Sequence, residues 1–338
     1  MSVVPAGSDV QSVARLTEMA DYTVPFALRA VCDLAVADHL GDGPVPVADL
    51  ARATGTHARS LLRVLRALAC RGVFSEVEPE VFALTPLAEP LRSDHPRSLR
   101  AAYPLLAPDI QAWARFDHSV RTGAAAFDAA HGTDYWSYLQ RHPADSARFD
   151  ASQRAVTARE IKVLLPAYDW GCFGTLVDVG GGNGAFLSAV LQRHPDLRGV
   201  LFDQPHVVSG AGPVLHERGV TARCTVVGGD FLTAVPPGGD GYLIKRALYD
   251  LGDGDAEAVL TAIRAAIRPG GRLLIVEPVV EPGDEFDWGK LYDLLLLTMR
   301  GGGSRTEGQH RELLAATGFE LLRVIRTKSL PIVEARAV

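Results

Sequence analysis

Apolar positions along this chain follow two successive rhythms. Residues 1–10 are polar and interrupted by Gly and Pro, which predicts a frayed start. From Val13 to about Leu40 apolar residues recur at helical spacing. The segment "VPVADLARATGTHARSLLRVLRALACRGVFSE" then reads as helix, turn, helix. Thr54, Gly55 and Thr56 form the break, and Thr56 is the candidate N-cap of the second helix. Leu61, Leu62, Val64, Leu65, Leu68 and Ala69 give that helix a broad apolar face. "GVFSEVEPEVFALTP" reads as a short hairpin, so the whole is a winged-helix pattern. Residues 97–165 are mainly helical, with "RTGAAAFDAAHGTDYWSYLQRHP" as a loop-rich aromatic insert. From Thr175 the rhythm changes to short apolar runs: "TLVDVGGG", "RGVLFD", "ARCTVVGGD", "DGYLIKRA" and "GGRLLIVEPV". Helical stretches of roughly 10–15 residues separate them, as in a doubly wound parallel sheet. "FELLRVIRT" and "SLPIVEARAV" close the chain as a hairpin.

Composition narrows the function classes. The 338 residues are 47% hydrophobic and 22% charged, enough for a large core and two domains. A formal net charge of −6 argues against a generally basic nucleic-acid surface. A winged helix commonly reads DNA, and Arg59, Arg63 and Arg66 lie on the candidate recognition helix. Its dense apolar face points to packing instead. Cys32, Cys70, Cys172 and Cys224 are scattered, and the ten histidines show no close metal-ligand spacing. No metal is expected, and reduced thiols suggest the cytoplasm. The N-terminus has no signal-peptide pattern, and the longest apolar run, "LYDLLLLTM", is short and carries Asp293. Neither a membrane nor a nucleic-acid partner is expected.

"VDVGGGNGAF" places Asp178, Gly180, Gly181, Gly182 and Gly184 in a strand-to-helix turn. Taken alone, that turn fits a dinucleotide or a tight turn with no ligand. Asp178, two residues before the first glycine, suits an ammonium group better than a pyrophosphate. Asp203 in "LFDQP" lies about 20 residues further on, where a carboxylate accepts from ribose hydroxyls. Asp230 in "GGDF" is placed to accept from an adenine amine, with Phe231 against the ring. Any one of these acids reads as a helix cap. Three at successive strand ends on the ligand-binding rim favour S-adenosyl-L-methionine.

These motifs, with "IRPGGRLLIVEP" and "GGGSRTEGQHRELLAATGF", resemble the plant-type, caffeate-like small-molecule O-methyltransferases in their bacterial natural-product branch. The resemblance covers nearly the whole chain. It implies an α/β fold: a Rossmann-like class I methyltransferase domain over 166–338, preceded by a mainly helical winged-helix dimerisation domain over 1–100. A helical linker and substrate-pocket region, 101–165, lies between them. It also implies a homodimer acting on an aromatic small molecule. Gly180, Gly181 and Gly182 would support the methionine end of the cofactor, Asp203 and Gln204 the ribose, and Gly229, Asp230 and Phe231 the adenine. Lys245 would lie beside it.

In that family "LHDW" usually supplies a histidine base held by two carboxylates. Here the segment reads "LYDL": Tyr249 stands for the histidine, Asp250 is kept, and Leu251 replaces the tryptophan. By the same resemblance the two supporting acids match Glu277 and Glu307. A neutral phenol is a poor base near pH 7. Three explanations stay open: an acidic acceptor or another base, a carbon or nitrogen nucleophile, and a cofactor-retaining hydroxylase or cyclase. A ligand-sensing transcriptional regulator is the reading from another class. Asp250 reads as a base or as an orienter, Glu277 as a site acid or a partner of a backbone amide, and Glu307 as a site acid or a helix-dipole residue. His118 and His131 read as packing histidines. Trp113, Phe116, Tyr135, Trp136 and Met299 line either a pocket or the core.

Overall fold

The computed structural model describes residues 6–338, which divide into two compact units. The first takes residues up to Leu105 with Ala147–Ala155, and the second Leu106–Ser146 with Val156–Val338.

In the first unit, helix α1 spans Ala6–Ala20 and α2 Thr23–Asp33. Of the segment expected to fray, residues 1–5 lie outside the described residues, and residues 6–10 are already helical. A turn at Asp21 breaks the helical run, with its carboxylate accepting the Thr23 N–H at 2.8 Å. Strand β1 (Val45–Pro46) leads into α3 (Val47–Thr54) and α4 (Ala58–Ala69). Thr56 does not cap α4. Gly55 turns left-handed at φ +65° and Thr56 N–H bonds back to Ala51 O at 2.8 Å, so both residues close α3 instead. His57 stands at the α4 N-cap without a side-chain bond. The expected hairpin forms as β2 (Phe74–Glu78) and β3 (Val81–Leu84), and β3 also pairs with β1. Leu61, Leu65 and Leu68 of α4 are buried with Leu50, Phe74 and Phe82 in this unit's own core. Arg66 is held by Glu76 at 2.7 Å. Along α1, Val10, Val13, Leu16 and Met19 recur every three residues, and each is more than half exposed.

The second unit begins with α5 (Ala107–Trp113), α6 (Phe116–Thr122), α7 (Ala126–His131) and α8 (Tyr135–Arg141), and it takes both ends of α9 (Pro143–Leu164), whose middle residues 147–155 belong to the first. The insert expected to be loop-rich is therefore largely helical. Left-handed glycines at 123 and 132 end two short helices, and the Asp134 carboxylate caps the third through Ser137 N–H. These helices pack on a later helix of the same unit, so 106–146 groups with the large sheet rather than with a separate 101–165 segment.

The sheet alternates with helices as its apolar runs predict: β4 (Thr175–Val179), α10 (Ala185–Arg193), β5 (Arg198–Asp203), α11 (Pro205–Val208), α12 (Ala211–Glu217), β6 (Cys224–Gly228), β7 (Gly241–Lys245), α13 (Asp253–Ala266) and β8 (Arg272–Val276). Then come α14 (Trp288–Met299), α15 (Glu307–Ala316), β9 (Phe319–Ile325) and β10 (Ile332–Ala337). The strand order is β6-β5-β4-β7-β8-β10-β9, parallel except for β10, which runs antiparallel to both neighbours. Central β4, β7 and β8 are apolar on both faces because helices cover both, and Leu176, Leu243 and Leu274 on one face and Val177, Ile244 and Ile275 on the other are fully buried. The strand order reverses beside β4, so the carboxyl ends of β4 and its neighbours open a crevice where a ligand can sit. Among the described residues no helix is long and apolar enough to cross a membrane.

Candidate active site

Strand β7 delivers Lys245 to the rim, and the chain then turns at Arg246, which has φ +56°. That left-handed conformation is uncommon for a residue with a side chain and needs support from its surroundings. Glu160 on α9 provides it. One carboxylate oxygen accepts from Lys245 Nζ at 3.0 Å, the other from Arg246 Nη1 at 2.9 Å. Burial would raise the Glu160 carboxyl, but the two cations outweigh it and hold the group below its usual range.

The turn feeds a single 3₁₀ turn, Leu248–Asp250, that presents Tyr249. The Tyr249 hydroxyl lies 3.3 Å from that of Tyr292 on α14, and Tyr292 accepts from Arg246 Nη2 at 3.0 Å. Tyr249 is buried, which holds its phenol well above the ordinary range even though Arg246 opposes the shift. Asp250 pairs with Arg300, whose guanidinium lies over the rings of Tyr135 at 5.1 Å and Trp136 at 4.7 Å. Arg305 clasps the same turn through the carbonyl oxygens of Leu248 and Leu251. Gly302 packs so tightly on it that a Cβ there would overlap the backbone of Tyr249 and Asp250.

Glu277, at the end of β8, accepts the Tyr249 backbone N–H at 3.0 Å. It positions the segment and has no bond to the hydroxyl. Burial pushes its carboxyl up to about 8. Its other oxygen lies 3.6 Å from Nε2 of His310, a fully buried side chain that burial, helped by Arg305, pushes down to about 4. Glu307 does not join this group. Thr306 and Gln309 form a capping box at the start of α15, and Glu307 in its first turn pairs with Arg311 at 2.8 Å. His131 packs on Phe127 and bonds Pro108 O at 3.0 Å. Tyr135 and Met299 are buried, whereas Trp113 and Trp136 keep exposed edges.

On the other side of Lys245, Gly180, Gly182 and Gly184 all take left-handed φ. A Cβ on Gly181 would strike Leu201 and Asp178, and one on Gly229 would strike Phe202. Asp203 accepts Gly182 N–H at 2.8 Å and Gln204 N–H at 2.7 Å, leaving a lone pair on each oxygen for a ligand. Burial raises its carboxyl, against those two N–H groups. Asp178 is buried and pushed up to about 7, mainly by burial and against the charge of Lys245. Gln204, Pro205, His206, Gly229 and Asp230 line one side of a cleft of about 580 Å³. A backbone cradle, carboxylates for an ammonium and a ribose, and Phe231 beside Gly180 make a donor set that fits S-adenosylmethionine.

The fold and this rim match known proteins. Residues 113–320 match the O-methyltransferase domain, and residues 17–94 the O-methyltransferase dimerisation domain. The chain belongs to the O-methyltransferase family. A phenazine O-methyltransferase of Lysobacter antibioticus is 42% identical over 335 residues, 98% of each chain. The O-demethylpuromycin-O-methyltransferase of Streptomyces alboniger is 40% identical, covering 91% of this chain and 84% of that one. The SAH-bound structure of CalO1, a methyltransferase in calicheamicin biosynthesis, superposes with a TM-score of 0.86 at 37% identity, over 97% of this chain and 99% of that one. This family member is an S-adenosylmethionine-dependent methyltransferase, so the regulator reading is set aside. No local sequence signal marks Glu160, Arg246, Tyr292, Arg300 or His310 as site residues. Arg246 stands inside "KRALYDLGD", but nothing local ties Glu160 to a strand end 85 residues away.

Two outcomes follow from this packing. Gly302→Ala should displace the Tyr249 turn by a few tenths of an ångström or more and lower turnover on the order of 10–100-fold, with the far-UV circular dichroism unchanged. A fully active variant would show that the turn's position is not critical. His310 has its proton affinity depressed by folding, so its contribution is present above about pH 6.5 and lost as pH falls toward 4. Glu277 beside it, raised to about 8 by burial, acts in the opposite direction, so the signal is a difference: between pH 7 and pH 5 the parent should lose about 2 kcal/mol relative to His310→Phe in urea unfolding. An unchanged pH slope in the variant would place the acid sensitivity elsewhere.

Proposed function

We propose that this methyltransferase methylates a phenolic oxygen of an aromatic natural-product intermediate, and that Tyr249 positions the acceptor without serving as its base. One observation carries this reading: the Tyr249 hydroxyl is buried against another hydroxyl, and both burial and that neighbour keep it protonated. Among the nearby acids, Asp250 is paired with Arg300 and Glu307 with Arg311, and Glu277 gives one oxygen to the Tyr249 backbone N–H while the other faces His310 at 3.6 Å. The relatives' phenazine and puromycin chemistry supports an aromatic acceptor.

S-adenosylmethionine, when bound, supplies an electrophilic methyl group on a sulfonium. The glycine cradle and Asp178 hold its amino-acid end, Asp203 and Gln204 take the ribose, and Gly229, Asp230 and Phe231 take the adenine. Lys245, tethered by Glu160, stays beside the cofactor without swinging into the acceptor's path. The Tyr249 turn aligns the nucleophile and excludes water, which are the main demands of an in-line displacement. All four cysteines are free thiols, in keeping with the cytoplasm. The dimerisation domain and the exposed apolar stripe of α1 support a homodimer in which that stripe is covered.

Tyr249→Phe should keep single-turnover methyl transfer within about 10-fold of the parent, the worth of one hydrogen bond. The rate should keep following the acceptor's own ionisation across pH. A loss beyond about 100-fold with a titration step removed would make Tyr249 the base. Light scattering at micromolar concentration should give twice the chain mass, and Leu16→Glu with Met19→Glu should give the single-chain mass. A dimer that survives both charges would place the interface elsewhere.

A further inference from the structure

The hydroxyl pair beside Arg246 has more protons to give than places to put them. Arg246 has no acceptor atoms, so its Nη2–H must donate to the Tyr292 oxygen. The Tyr249 and Tyr292 hydroxyls share one contact at 3.3 Å and bring two protons to it. Only one proton fits between the oxygens. Among the described residues, neither hydroxyl has another hydrogen-bonding partner. Whichever way the shared bond points, one O–H is left over, that of buried Tyr249 or that of half-buried Tyr292. The buried Nε–H of Arg246 is a second donor without a partner. A buried donor left unpaired costs more than an unused phenol lone pair, so the site calls for an oxygen that brings no proton of its own. Accepting from a guanidinium also polarises Tyr292 and strengthens the donor at the end of the chain.

Charge points the same way. Around Tyr249 stand Arg246 from the β7 exit, Asp250 in the same turn, Tyr292 on α14, Arg300 just after it, and Glu277 at the end of β8. Lys245 and Arg246 share the single carboxylate of Glu160, and burial holds the Glu277 carboxyl above its ordinary range.

We infer that the Tyr249–Tyr292 pair, backed by Arg246, is a subsite that takes the substrate's hydroxyl as its anion, an aryloxide. The inference rests on the phenolic-oxygen reading above and narrows it to acceptors acidic enough to ionise near neutral pH. The proton goes to solvent before binding, so no residue of the chain has to remove it.

The probe is 4-nitrophenol, whose anion absorbs visible light and whose neutral form does not. Titrated into the full-length protein with S-adenosylhomocysteine present, it should bind as the anion, with its pKa lowered by about one unit, a tenfold preference. The less acidic 4-methylphenol, of similar size, should compete at least about tenfold less well at pH 7. Tyr249→Phe and Tyr292→Phe each leave one donor and should keep most of the shift. The double Phe variant keeps both rings and should abolish it, with S-adenosylhomocysteine affinity by calorimetry unchanged. No binding of the anion, a raised probe pKa, or a double variant that shifts the probe like the parent would each overturn the subsite. Methyl transfer is scored separately: a bound anion that is never O-methylated sinks the phenolic-oxygen reading alone, and O-methylation without a pKa shift sinks the subsite alone.

Discussion

A single buried carboxylate, Glu160, sets the geometry of the reacting end of this enzyme. It closes on two consecutive cations, Lys245 and Arg246, across 85 residues of chain. Desolvating three charges costs several kcal/mol each, and attraction repays that only when the geometry is good on every atom. Here each carboxylate oxygen has its own cation, and neither cation is free to relax. That rigidity makes the left-handed turn at Arg246 affordable. The turn in turn decides where Tyr249 stands, because only Ala247 and Leu248 separate it from Arg246.

The cofactor side solves a different problem, close approach of backbone to ligand. Gly181 and Gly229 have no room for a Cβ, and Gly180 and Gly182 need a backbone that side chains resist. Asp203 ties the two requirements together: it braces the glycine loop through Gly182 N–H and Gln204 N–H and keeps a lone pair on each oxygen unused. Lys245 stands where the two halves of the site meet.

Much of this was legible in the sequence because the signals were local. Short continuous apolar runs, the glycine turn and the acids at strand ends point to the sheet, the rim and the cofactor. The insert at 121–143 escapes the sequence pattern because its helices are only six or seven residues long and two of them are ended by glycines, so no apolar period develops within one. Thr56 belongs to α3 rather than α4 for a related reason, since a residue next to a left-handed glycine serves the helix before it. Glu307 carried the right residue type in a plausible motif, but position N1 of a capped helix points it at Arg311. Glu160 and Tyr292 were invisible because their meaning comes from partners far away in the chain.

Exchanging the family's histidine for Tyr249 has a cost that depends on the acceptor. A positioned general base contributes typically about 10²–10⁴-fold. For a phenol with a pKa near 10, only about one molecule in 1,000 is ionised at pH 7, and losing the base forfeits most of that factor. For an acceptor with a pKa near 7, about half is already ionised, and a base has almost nothing left to contribute. A site that replaces a proton acceptor with hydroxyl and guanidinium donors is thus poorly built for ordinary phenols and well built for acidic ones. The same substitution that looks like a loss of catalytic machinery becomes a filter on substrate acidity, set by Tyr249, Tyr292 and the guanidinium behind them.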